Sequence, residues 1–152
     1  MKRILVLSDS HRGMSFMRWC VNTVKPDAIV HLGDFYDDGD ELHEGFRHIP
    51  MYQVAGNCDR YYASPAAREL LIGQVCGVKL FMTHGHRQYV KSGTDQLVYE
   101  ALKAGVQAAL QNAVNLAFRG DAAGAKDALS PLLQDDEVKR LSDKMRDSNG
   151  GI

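Results

Sequence analysis

The sequence predicts an α/β protein: a parallel βαβαβ sheet, then a β-hairpin, then a helical C-terminal segment. Three observations predict it. Short branched-aliphatic runs alternate with helix-spaced segments up to Ala55, two β-like runs flank Cys76-Gly77, and the chain turns Ala-rich from Thr94 onward.

Each element has its own signal. Residues 2–7 read as a buried strand of aliphatics that stops at Ser8, Asp9, Ser10 and His11. From Met14 to Val24, Met14, Met17, Trp19, Val21 and Val24 give a helical spacing, closed by Pro26, and the Met and Trp residues read as core. Residues 28–32 form a second strand ending at Gly33-Asp34. A short helix is expected after Asp40, within DELHEGFRHI, and Met51 to Ala55 makes a third strand ending at Gly56-Asn57. The hairpin is expected over residues 70–75 and 78–83, turning at Cys76-Gly77. Beyond it, Leu97, Ala101, Ala104 and Ala108 fall on helical steps, with Thr94 or Asp95 as cap and Gly120 as terminator. Gly105 leaves a second reading open, in which the helix ends there and Val106 to Leu110 is a strand. Two further short helices are expected over 121–134 and 136–146.

The 152 residues, 45% apolar, suit a compact chain with a real core. Residues 1–110 carry 12 Lys+Arg against 12 Asp+Glu, and residues 111–152 carry 6 against 7, so charge suggests neither a nucleic-acid footprint nor an acidic tail. A small phosphorylated substrate stays open. Cys20, Cys58 and Cys76 are odd in number and widely spaced, which fits a reducing cytoplasm and no disulfide framework. The apolar run Ile4 to Leu7 is too short for a signal peptide or a membrane span, so a cytoplasmic protein with no membrane partner is expected.

The chemistry gathers at strand ends. The first strand runs into Asp9-x-His11, whose side chains share a direction if the chain stays extended. The second ends in Gly33-Asp34, the third in Gly56-Asn57-Cys58-Asp59, and the hairpin in His84-Gly85-His86. Taken singly, these are a helix cap, two turns and a loop with exposed imidazoles. Ligand sites in open α/β sheets form beyond the carboxyl ends of the strands, where four such ends can converge. His31, inside the second strand, reads as a packed histidine, and His43 and His48 as surface groups. Asp37, Asp38, Asp40, Glu41 and Glu44 read as a solvated helix start. Asp59 fits either a turn cap or a group orienting a neighbour.

SDSH, GD, GNCD and THGH, in this order, resemble the calcineurin-like metallophosphoesterase superfamily over residues 1–110, and most closely its small bacterial and archaeal phosphodiesterase branch. The resemblance implies a metal-dependent phosphoesterase that hydrolyses a phosphodiester or simple phosphomonoester through a metal-activated bridging water. It implies two divalent ions, Mn²⁺ first and Ni²⁺, Fe or Zn²⁺ as alternatives, since mixed oxygen and nitrogen donors suit these and not a calcium cage. Asp9 and His11 would hold one ion, Asp34 would bridge, and Asn57 and His84 would hold the other, with Asp34 and Asn57 also catalytic. Many members have a leaving-group His after the Asn; Cys58 stands there, as in the branch resembled, which favours easy leaving groups.

Members complete the site with a later Gly-His-x-His motif, but no histidine follows His86 in this sequence. The resemblance therefore implies five ligands instead of the usual seven, with His86 as a substitute ligand. It also implies a second sheet left incomplete, with C-terminal helices in place of its late strands. On this reading residues 1–110 form the metallophosphoesterase-like domain, and residues 111–152 are a helical segment packed on it or on a partner subunit, a route to a homo-oligomer. The alternative function is a catalytically degenerate scaffold for protein interaction.

Overall fold

The computed structural model describes residues 1–59 and 67–134. Contacts divide the chain into two compact units, Met1–Lys91 and Ser92–Ile152. The boundary expected at residue 110 falls inside a continuous helix, and the division comes between Lys91 and Ser92 instead.

The first unit opens with β1 (Ile4–Leu7), α1 (Met14–Val24), β2 (Ala28–His31), α2 (Tyr36–Gly45) and β3 (Met51–Gln53). The three strands form one parallel sheet in the order β1-β2-β3, pairing Ile4 with Ala28 and Ile29 with Met51. β2 is buried throughout because it is central and covered on both faces. On one face Ile29 packs with Met17, Val21, Leu42 and Ile49 from the helical side. On the other, Ala28 and Val30 meet Val54, Val75 and Met82.

The last two belong to the hairpin, β4 (Leu70–Val75) and β5 (Val78–Thr83), an antiparallel pair registered Val75 to Val78. Its turn is where the sequence puts it: Cys76 and Gly77 both have positive φ, 52° and 86°, as a two-residue type I′ turn requires. Among the described residues this second sheet has two strands. Leu70, Ile72 and Val78 on it, and Val6 on β1, are exposed, the uncovered apolar surface that a short second sheet leaves.

Two expectations need correction here. α2 begins at Tyr36, not after Asp40, so Asp37 and Asp38 fall in its first turn and Asp40, Glu41 and Glu44 lie further along it. Trp19 is 60% exposed and stacks on exposed Phe16 at 5.7 Å, while Met17 and Val21 are buried. Trp19 lies two residues from each, about 200° around the helix, and so faces away from the core.

The second unit holds α3 (Asp95–Phe118) and α4 (Ala122–Gln134). α3 passes straight through Gly105, which sets aside the alternative of a strand at 106–110. Thr94 is its N-cap but makes no side-chain capping bond, and Gly120, at φ 80°, follows its end. The helix expected over 136–146 lies outside the described residues. No described helix is long and apolar enough to cross a membrane.

Candidate metal centre

The carboxyl ends of β1, β2 and β3 and the exit of β5 meet at one place. Asp9 follows β1, and its amide donates to the carbonyl of Gly33 at 2.9 Å, tying the first two strand ends together. Gly33 and Gly56 then pack against each other so tightly that a Cβ on Gly33 would sit 2.5 Å from the Gly56 nitrogen. One on Gly56 would sit 2.1 Å from Asp34 Oδ1. Both positions need glycine, and Gly33 also has φ 97°.

The chain does not stay extended after β1. Asp9, His11 and Arg12 have φ of 53°, 45° and 62°, and Asp34 and Phe35 have 55° and 68°. The extended-chain argument for pairing Asp9 with His11 is thereby corrected: a left-handed turn, not a strand, brings them together. Such non-glycine conformations cost on the order of 1–3 kcal/mol each and persist where surrounding contacts fix them. The outcome is that ligand atoms of Asp9, His11 and Asp34 all lie within 4.8 Å of one another.

His84 and Asn57 stand on the other side of Asp34. His84 Nε2 lies 3.6 Å from Asp34 Oδ1 and 3.2 Å from Asn57 Oδ1. Its Nδ1 hydrogen goes to the carbonyl of Leu32 at 2.8 Å, which leaves a lone pair on Nε2. With the ring in its neutral form, Nε2, Asn57 Oδ1 and Asp34 Oδ1 converge as a nitrogen and two oxygens, a donor set that a divalent cation fits. His86 lies next to this group, its ring centroid 5.5 Å from that of His84, with its Nε2 3.9 Å from Glu69 Oε1.

Asp34 is nearly buried. Burial alone would raise its carboxyl, but the hydrogen bonds from the Cys58 amide, at 2.9 Å, and thiol, with the nearby His84 and His11, hold it below the usual carboxylate range. The Cys58 thiol is pushed up in turn, first by its hydrogen bond to Asp34. Ser8 Oγ donates to Asp9 Oδ2, and the Phe35 ring meets the His11 ring edge-on at 4.9 Å.

Two buried carboxylates, Asp38 and Asp59, stand behind the site, and Asp59 caps the turn after β3 as the sequence allows. Asp38, which the sequence places in a solvated helix start, is instead 7% exposed and accepts from Ser10 Oγ and from the Arg12 amide, both at 2.7 Å. Asp59 accepts from the amides of Tyr36 and Gly56 at 2.8 and 2.7 Å, clamping the start of α2 to the end of β3. His31 is fully buried, as expected, with Nε2 on Ser10 Oγ at 3.3 Å. Once α2 is started at Tyr36, Asp38 becomes its third helical residue, the position from which acidic side chains reach back past a helix start. A cavity of about 380 Å³ has Arg12, Phe35, Tyr36, Asp37 and Cys58 in its walls.

Among solved structures, the chain is similar to a crystal structure from Streptococcus pneumoniae TIGR4, described as a conserved uncharacterised protein and predicted phosphoesterase. The two share 29% identity with a TM-score of 0.53, over 68% of this chain and 56% of that one. The chain thus spans little more than half the length of that relative. No curated protein matches it. The calcineurin-like phosphoesterase superfamily domain matches residues 1–120, most of the sequence and all of the strand ends described above, and the chain belongs to that superfamily.

Proposed function

We propose that this chain is a divalent-metal-dependent phosphoesterase acting on a phosphodiester or a simple phosphomonoester. The observation that carries the reading is the convergence of Asp9, His11 and Asp34 within 4.8 Å, with His84 Nε2 3.6 Å beyond Asp34. Asp9 and His11 would hold one ion, Asn57 Oδ1 and His84 Nε2 the second, and Asp34 both. Oxygen and nitrogen donors favour Mn²⁺, with Ni²⁺, Fe or Zn²⁺ as alternatives. Bound there, the metal pair would supply positive charge against the phosphoryl oxygens and a water acidic enough to attack at neutral pH.

The chain's own groups do the rest. Asp34, held ionised by the Cys58 amide, stays a ligand at neutral pH and below. Leu32 keeps His84 in the tautomer that presents Nε2. Asn57 Nδ2 carries two hydrogens and directs one to Cys58 Sγ at 3.4 Å, which leaves the other to donate to a phosphoryl oxygen. Cys58, pushed towards the thiol form, is a poor leaving-group acid, so esters with acidic leaving groups fit best. The cavity beside Cys58 has room for the organic part of a small ester.

The test is hydrolysis of bis-p-nitrophenyl phosphate and p-nitrophenyl phosphate with and without Mn²⁺. Asp34→Asn is expected to abolish Mn²⁺-stimulated turnover while circular dichroism stays unchanged; full turnover in that variant would sink the assignment.

A second reading, an interaction scaffold that self-associates through its C-terminal helices, is favoured by one observation. Leu110, Val114 and Phe118 are exposed and fall on one stripe of α3 at four-residue steps. Sedimentation of the full chain, with and without Gln at these positions, decides it: a monomer in both cases removes the reading.

A further inference from the structure

Deepening the proposed function and resting on it, the geometry points to Asp38 as a positioning residue that holds His11 in its ligand-presenting conformation. His11 sits between the two residues that Asp38 binds. The Ser10 hydroxyl donates to Asp38 Oδ2 at 2.7 Å, and the Arg12 amide donates to the same oxygen at 2.7 Å. The carboxylate therefore straddles the residue whose imidazole faces Asp9 and Asp34. His11 and Arg12 both have positive φ, and a backbone in that region relaxes unless its neighbours are fixed.

The rest of the surroundings fits a brace. Asp38 is buried in the first turn of α2, so it is rigidly mounted, and α2 itself is anchored where Asp59 takes the Tyr36 amide. The Ser10 hydroxyl, having given its hydrogen to Asp38, accepts from His31 Nε2 at 3.3 Å. His31 lies on central strand β2, so the loop after β1 is gripped from the helix on one side and the sheet on the other. Asp38 itself ligates nothing in this arrangement; it acts through His11.

Both hydrogen bonds end on one oxygen, which sets the test. An asparagine amide oxygen can accept both, whereas alanine accepts neither. Mn²⁺ affinity is measured by calorimetry for the wild type, Asp38→Asn, Asp38→Ala and Ser10→Ala, with thermal unfolding of each metal-free protein in parallel. Asp38→Ala is expected to weaken Mn²⁺ binding about tenfold or more, the scale for losing a group behind a ligand, and Asp38→Asn to stay within about threefold of wild type. Ser10→Ala, losing one of the two bonds, should fall between them and decides the matter if Asp38→Ala does not fold. Wild-type affinity in Asp38→Ala, or in Ser10→Ala where that variant is decisive, overturns the positioning role alone. Equal losses in Asp38→Asn and Asp38→Ala overturn it too, because the charge and not the brace would then matter. A wild-type protein that binds no Mn²⁺ overturns the metal reading, and the positioning role with it.

Discussion

His84 donates its Nδ1 hydrogen to the carbonyl oxygen of Leu32, 52 residues earlier, at 2.8 Å. One bond thus ties the exit of the hairpin to the end of the central strand and decides which ring nitrogen faces Asp34. Asparagine can imitate the Nδ1 side of histidine but has nothing to put in place of Nε2. His84→Asn is therefore expected to keep stability within about 1 kcal/mol, the worth of an ordinary hydrogen bond, and to weaken Mn²⁺ binding by at least roughly tenfold. Chemical denaturation and calorimetry on the same preparation check both halves, and unchanged affinity would remove His84 from the ligand set.

The approach of Gly33 to Gly56 makes a stability prediction that needs no metal. In Gly56→Ala the new methyl would meet the Asp34 carboxylate at 2.1 Å and the Asp34 nitrogen at 2.5 Å, and a backbone atom cannot step aside as a flexible side chain can. Overpacking of this kind costs about 1–3 kcal/mol or more, so urea unfolding should shift to lower midpoints with an unchanged slope. Gly45→Ala, where a Cβ meets nothing within 4 Å, is the matched control and should be neutral or stabilising.

These two positions also mark how far the sequence could be read. Strong local signals survived: the aliphatic run of β2, the Cys76-Gly77 turn and the Met14–Val24 helix are where the pattern puts them. Local grammar failed where long-range contacts decide. Asp38 sits in an acidic run that looks solvated, and only the packing of α2 against the loop after β1 turns it inward. Trp19 departs from its expected core position for a different reason: it is apolar, but its helical phase puts it opposite the buried Met17 and Val21. At Asp9 and His11 the residues were legible, but the left-handed backbone that joins them was not, because nothing in Ser8-Asp9-Ser10-His11 requires positive φ.

Cys58 is exposed, yet its contact with Asp34 favours the thiol over the thiolate. Alkylation requires the thiolate. Site-resolved mass spectrometry after brief iodoacetamide treatment at pH 7.5 should find Cys58 slow for an exposed cysteine. Asp34→Asn removes the neighbouring charge, lowers the thiol's pKa relative to wild type and should speed labelling at Cys58 alone. Equal labelling rates in the two proteins would break the link between Asp34 and Cys58.

His31 gives the fold a pH dependence of predictable sign. Burial pushes its imidazole below the ordinary value of 6.5, against an upward pull from Asp59, Asp38 and Asp9. Above 6.5 the residue is neutral whether the chain is folded or unfolded, and it costs nothing. As pH falls through 6.5 the unfolded chain takes up a proton that the folded chain refuses, so stability drains away until the folded pKa is passed. One proton sets a limiting slope of about 1.4 kcal/mol per pH unit. In metal-free protein, urea unfolding between pH 7.5 and 5.5 should cost the wild type more stability than His31→Gln, whose side chain carries no titrating group. His31 is the one group that differs between the two proteins, so the difference between their curves reports on it. Parallel stability curves for the two proteins would show that His31 accepts its proton as readily inside the sheet as outside it.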